Sequence, residues 1–223
     1  CGAGPVGLYT SPHLVHFSER IRVDGQPVEK SWVAAWVTDK VELIGEIKPT
    51  FFELATAMAY AYFQEKGCQW GVIETGLGGR LDATNTLTPM ITAITNIGLD
   101  HQQLLGNTLS QIAIEKLGIV KNNIDLVIGD IQYEIINLFN KKASEVDSSI
   151  LAATQLWNYE AQGGEVVFQN RTQGIALQLW EPRFWSAYQG PNYAVALQIL
   201  LRLYQMGQLA VASLEACMAR GAA

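Results

Sequence analysis

Apolar and polar positions follow two rhythms along this chain, and their order predicts a layered α/β fold. Short apolar or alternating runs at residues 6–9, 17–23, 70–73, 91–95 and 126–130 read as strands. The run 70–73, Trp70-Gly71-Val72-Ile73, reads as a buried strand. Helical spacing recurs at residues 31–47, with Trp32, Val33, Trp36, Val37, Val41, Leu43 and Ile44 on its apolar stripe. It returns at 50–66, 108–117, 132–142, 191–206 and 209–219. Thr50-Phe51-Phe52-Glu53 and Thr108-Leu109-Ser110-Gln111 have the form of capping boxes, and Gly67 and Gly118 are natural helix stops. Asp24-Gly25 turns the chain between two extended runs. Strands and helices alternate through residue 142, which predicts a mostly parallel sheet with helices on both faces. From about residue 150 to 179 the pattern changes. Short runs such as Val166-Val167-Phe168 and Ile175-Ala176-Leu177, separated by Gly163-Gly164 and Asn170-Arg171, predict a small appended β meander.

Composition narrows the function. The 223 residues are 49% hydrophobic and 16% charged, enough for a sizeable core. A net charge of −6 gives no basic footprint for nucleic acid. No apolar run is long enough to span a bilayer, so no membrane partner is expected, and no signal-peptide pattern opens the chain. Cys1, Cys68 and Cys217 are odd in number and lack a metal spacing, which fits a reduced, cytoplasmic setting. The chain starts at Cys1 just before a strand and stops at Gly221-Ala222-Ala223 just after a helical pattern, so it reads as cut at both ends.

Candidate chemistry gathers where strands end. Glu74 closes the 70–73 run and opens Thr75-Gly76-Leu77-Gly78-Gly79-Arg80-Leu81-Asp82-Ala83-Thr84-Asn85. A carboxylate at a strand's carboxyl end, followed by a glycine-rich loop, suits a nucleotide-handling α/β site. A tight turn with a solvated ion pair is the alternative. Thr10-Ser11-Pro12-His13 follows the first strand, and Asn96-Ile97-Gly98-Leu99-Asp100-His101 follows the 91–95 strand. Either is a loop that presents polar groups or a plain turn. Phe51 and Phe52 begin a helix and could wall a pocket for a flat ring. Lys116, in the last turn of its helix, by itself reads as a cation favoured by the helix C-terminus.

Taken together these stretches resemble the folylpolyglutamate synthase/dihydrofolate synthase family, a branch of the Mur ligase superfamily. The Glu74 to Asn85 stretch resembles the family signature. Leu8-Tyr9-Thr10-Ser11-Pro12-His13-Leu14, Phe17-Ser18-Glu19-Arg20-Ile21, Thr50-Phe51-Phe52-Glu53, Ile97-Gly98-Leu99-Asp100-His101 and Glu115-Lys116-Leu117-Gly118-Ile119-Val120-Lys121 resemble further motifs in the family's order. The resemblance is strong from Val6 to Gly129 and thin afterwards. It implies a Mur-ligase-like ATPase domain in an ATP-dependent carbon–nitrogen ligase that joins L-glutamate to dihydropteroate or a reduced folate through an acyl phosphate. It implies two Mg²⁺ ions, with Ser11 and Glu74 on one and His101 on a second that Glu74 bridges. It implies a carbamylated Lys116, a pterin held by Thr50, Phe51, Phe52, Glu53, Leu81, Asp82 and Ala83, a nucleotide contact from Asn192, and a monomer. The family's Gly-Thr-x-Gly-Lys-Gly-Ser phosphate loop is not matched, and the glutamate-binding C-terminal domain is not reached, so the 223 residues read as part of the N-terminal and central ATPase region and are expected to be inactive alone. A non-catalytic folate-binding or interaction remnant and a peptidoglycan-precursor ligase of the same superfamily are the competing readings.

Overall fold

The computed structural model describes residues 4–162, 165–180 and 187–210. Two compact units divide the chain, one of residues 3–87 and one built mainly from residue 88 onward.

In the first unit, strand β1 (Val6–Tyr9) sits between β2 (Ile21–Val23) and a later strand. The run expected as one strand from residue 17 starts instead as a 3-10 turn, Phe17–Arg20. Its backbone is folded under by Glu19, whose carboxylate accepts the N–H groups of Leu14, Val15 and His16. Strand β3 (Gln26–Pro27) pairs with β2 across Asp24-Gly25, both at positive φ (49° and 81°), the signature of a type I′ hairpin turn. The helix expected over 31–47 is two helices, α1 (Lys30–Asp39) and α2 (Val41–Ile47), which meet at Lys40. In the last turn of α1 the Thr38 hydroxyl donates to the Ala34 carbonyl, a bond that bends helices. Helix α3 (Phe51–Glu65) carries the expected capping box. Thr50 Oγ1 accepts from the Glu53 N–H at 3.2 Å and Glu53 accepts from the Thr50 N–H at 2.7 Å. The buried face of α3, Ala55, Met58, Ala59, Tyr62 and Phe63, packs with Tyr9 and Ile21 of the sheet. Strand β4 (Trp70–Ile73) pairs in parallel with β1, giving the order β3-β2-β1-β4. It is less buried than its sequence suggests. As the end strand of its sheet, β4 leaves Gly71 and Val72 exposed.

The second unit holds a parallel sheet of order β5-β6-β7, made by β5 (Thr92–Asn96), β6 (Leu126–Asp130) and β7 (Ile150–Ala152). Helices α4 (Gln102–Leu105) and α5 (Leu109–Leu117) follow β5, and α6 (Ile136–Glu145) follows β6 after a 3-10 turn. Alternation along β6 sorts two cores. Leu126 and Ile128 pack with Ile112, Leu117 and Phe139 on one face. Val127 packs with Trp157, Phe168, Val195 and Leu201 on the other. Helices therefore cover both faces of this parallel sheet, as the alternation predicted. The short helix α7 (Ala153–Leu156) leads into the antiparallel meander β8 (Trp157–Gln162), β9 (Glu165–Asn170) and β10 (Ala176–Trp180). Helix α8 (Gly190–Gln205), opened by Pro191, lies in the meander-side core, where the Trp157 indole N–H donates to Gln198 at 2.9 Å. Of the helix expected at 209–219, residues 209 and 210 are not helical and residues 211–219 lie outside the described residues, as do Cys1, Cys217 and Gly163-Gly164. Among the described residues no helix is long and apolar enough to cross a membrane.

Candidate active site

Pairing of β1 with β4 places two of the sequence-selected residues side by side. The Tyr9 carbonyl accepts the Glu74 N–H at 2.9 Å, which extends the parallel ladder past Ile73. The Ser11 N–H then donates to Glu74 Oε2 at 2.7 Å. One carboxylate oxygen of Glu74 and the Ser11 hydroxyl remain outside this bond, at the carboxyl ends of two parallel strands, the position where open α/β sheets bind ligands.

The glycine-rich loop is shaped by Asp82. Its Oδ2 accepts the N–H groups of Gly76 (3.0 Å) and Leu77 (2.9 Å), and its Oδ1 accepts the N–H and hydroxyl of Thr84. Asp82 also caps the 3-10 turn Ala83–Thr86. Gly76 lies against the Phe52 ring so closely that a Cβ there would overlap it. Helix α3 thus fixes the loop as well as the sheet. Tyr60 bonds the Thr84 carbonyl at 3.2 Å, and burial pushes its hydroxyl up to about 12.

The two phenylalanines divide their work. Phe52 tilts against Tyr9 (5.9 Å between centroids) and belongs to the core. Phe51 is 58% exposed, meets Phe17 edge-on at 5.9 Å, and lies under the Arg20 guanidinium. Thr50 and Glu53 are engaged with each other in the cap, and the Thr50 N–H is the main cause holding the Glu53 carboxyl below its ordinary value. Leu81 is 80% exposed and Ala83 half-buried.

The remaining candidates fall in the second unit. His101, at left-handed φ (49°), precedes α4 and faces Asp100 at 3.7 Å. A cleft of about 460 Å³ lined by residues 99–104 opens around it. Lys116 is half-buried in the last turn of α5, and Asn192 in the first turn of α8 bonds Gln189. No hydrogen bond or ion pair joins His101, Lys116 and Asn192 to one another. Among the described residues no group of three or more His, Cys, Asp or Glu side chains is placed to hold a metal ion. Ser11 and Glu74 nevertheless offer hard oxygen donors and room for water ligands, which is the donor set Mg²⁺ takes.

No family model matches the chain. It is similar to dihydrofolate synthase/folylpolyglutamate synthase of Bacillus subtilis, 38% identical over 202 residues, 86% of this chain and 47% of the relative. It is 41% identical to the probable dihydrofolate synthetase of Schizosaccharomyces pombe, over 87% of this chain and 47% of the relative. The apo form of L. casei FPGS superposes with a TM-score of 0.84 at 30% identity, covering 98% of this chain and 57% of that one. Over the part of their length that it spans, the chain belongs to the folylpolyglutamate/dihydrofolate synthase family. It spans about half the length of the curated relatives it matches. Another neighbour in this synthase family is E. coli FolC in complex with DHPP and ADP, with a TM-score of 0.77 at 32% identity over 89% of this chain and 46% of that one.

Two residues were given no role of their own in the sequence. Glu19 ties the loop after Ser11, and its bonds from the His16, Leu14 and Val15 N–H groups hold its carboxyl below the ordinary value. Arg20 reaches His13 from behind that loop. Both lie in a stretch that alternates like a strand and that resembles a family motif without assigning either residue a role. The available signal was a carboxylate within five residues of three consecutive free N–H groups.

Proposed function

We propose that the protein to which these residues belong adds L-glutamate to dihydropteroate or to a folylpolyglutamate, with ATP as co-substrate. The observation that carries this reading is the Ser11–Glu74 bond at the ends of β1 and β4. It holds a hydroxyl and a carboxylate oxygen together beside a loop whose shape is set by Asp82. The substrate carboxylate attacks the γ-phosphate of ATP to give an acyl phosphate and ADP, and the amine of glutamate then displaces phosphate to form the amide. Mg²⁺ held by Ser11 and Glu74, with a second ion served by His101, would neutralise the crowded phosphate oxygens. A carbamate on Lys116 would supply a further anionic oxygen. Asn192 touches the nucleotide. Phe51 and Leu81 offer exposed apolar surface to the pterin, whereas Asp82 and the Thr50–Glu53 pair act by fixing the loop and the helix start around it. The same reading puts the reaction in the cytoplasm, where ATP is supplied, and takes the enzyme as a monomer.

The test is a chimera in which these residues replace the corresponding stretch of the full-length Bacillus subtilis relative. ATP-dependent ligation of labelled glutamate is expected, and Glu74→Ala should lower it by about 100-fold or more. Unchanged turnover in that variant would remove Glu74 from the metal site. The 223 residues alone contain no Gly-Lys-Gly-Ser stretch to cradle phosphates, and no ligation is expected from them in isolation.

A further inference from the structure

Gln132 crosses between two parallel strands just beyond their carboxyl ends, the edge where open α/β sheets bind ligands. It follows β6 and caps the 3-10 turn Tyr133–Ile135. Its Nε2 donates at 2.6 Å to the carbonyl of Ile97, one residue past the end of β5. Ile97 is buried in the core on the α5–α6 face of the sheet. The other end of the same amide is unsatisfied. Gln132 Oε1 is buried, and among the described residues it finds no donor. A buried acceptor without a partner costs free energy, which offsets what the bond to Ile97 contributes. Stability alone therefore gives little reason for an amide at this position. An apolar side chain of the same length, such as Met, would fill the space.

What the bond does is local. Beyond Ile97 the chain leaves the sheet. Gly98, Leu99 and Asp100 are exposed, and a Cβ on Gly98 would meet nothing. The Asp100 N–H donates to the Gly98 carbonyl at 3.0 Å, and Asp100 Oδ1 accepts the His101 N–H at 2.7 Å. The His101 carbonyl accepts from Leu104 (2.9 Å) and Leu105 (3.0 Å) and so opens α4. The cleft of residues 99–104 lies along this segment. All of these bonds run within the segment and set its shape. The Gln132 bond is of another kind, because it ties the root of the segment to the end of the neighbouring strand.

We propose that Gln132 is a positioning residue: it pins the root of the segment between β5 and α4 and so holds His101 in place to serve the second ion. The role of His101 rests on the ligase reading, but the tether is tested apart from it. Hydrogen exchange is followed by NMR in the 223-residue chain carrying Gln132→Met, which keeps the length of the side chain and loses its donor. The amides of Asp100, Leu104 and Leu105 should exchange about 10-fold faster, while the strand amides of Ile94 and Ile128 keep their wild-type rates. Gln132→Asn, an amide one methylene too short to reach, should behave in the same way and decides if Gln132→Met fails to fold. Wild-type rates at Asp100, Leu104 and Leu105 overturn the tether. Equal acceleration of the strand amides overturns it too, since Gln132 would then serve packing throughout the sheet. In the chimera with the Bacillus subtilis relative, Gln132→Met should raise the Mg²⁺ concentration for half-maximal rate by about 10-fold, and excess Mg²⁺ should restore turnover. Faster exchange with an unchanged Mg²⁺ requirement overturns the positioning of His101. A chimera that fails to ligate with Gln132 intact sinks the ligase reading alone, because the exchange rates still decide the tether.

Discussion

At the scale of single residues, the candidate site is held by hydrogen bonds that its motifs do not spell out. Asp82 is the clearest case. Both carboxylate oxygens are occupied within its own loop and the turn that follows. Hydrogen bonds to a charged acceptor are worth about 2 kcal/mol each, so its removal leaves the loop without its organising group. Asp82→Ala should destabilise the first unit by about 2 kcal/mol or more and release the Gly76 and Leu77 amides to fast hydrogen exchange. Retained protection of those two amides would show that the loop stands without it. Glu74 and Ser11 were legible as candidates because each follows an apolar run. Their direct bond was not, because 63 residues separate them and only the β1–β4 register brings them together. Arg20 was illegible for the opposite reason: a charged residue in an alternating run reads as a solvated face, and only packing shows it buried.

At the scale of elements, local signals were read well where a backbone group needed a specific side chain. The Thr50 cap, the Asp24-Gly25 turn and the Thr108 start of α5 all follow from donors or dihedrals that few residues satisfy. The Thr108 box differs in detail, since Gln111 Oε1 accepts from the Asn107 N–H rather than from that of Thr108. Helix continuity was read less well. The apolar spacing runs on across Lys40, but the backbone breaks there, and hydropathy carries no record of a bend. Strand contact is a further matter of geometry. Gly129 in β6 faces the Thr95 carbonyl of β5 so closely that a Cβ would overlap it. Gly129→Ala should therefore spread the two strands and cost about 3 kcal/mol, near the upper end of ordinary overpacking, measured as a lowered urea midpoint with unchanged slope. A midpoint equal to wild type would mean that the strands part freely.

At the scale of the whole molecule, ionisation bounds stability from both sides. Glu19, Glu29 and Glu53 have carboxyls held below the ordinary 4.5, the first by backbone N–H groups around His16, the second by the Tyr62 hydroxyl, the third by Thr50. A carboxyl depressed by folding contributes fully above its unfolded value and loses that contribution as pH falls through the folded one. Tyr60 and Tyr62 are raised from 10.0, chiefly by burial, so their contribution is complete below that value and is lost as pH climbs above it. The urea midpoint should be flat between about pH 5 and 9, fall below about 4.5 and fall again above about 10. A midpoint that rose on acidification would contradict the carboxylate assignments. The α/β class, the parallel sheet with helices on both faces, the meander and most helix starts were determined by sequence alone, since each rests on local periodicity or on a cap that one side chain supplies. Tertiary structure decided which strand ends meet, which face of β6 feeds which core, that Asp82 serves the loop, and that Arg20 is buried. The strand ends and the two cores join distant segments through pairing register and packing, Asp82 bonds residues only two to six positions away but through a loop shape that hydropathy does not record, and the burial of Arg20 is a matter of packing.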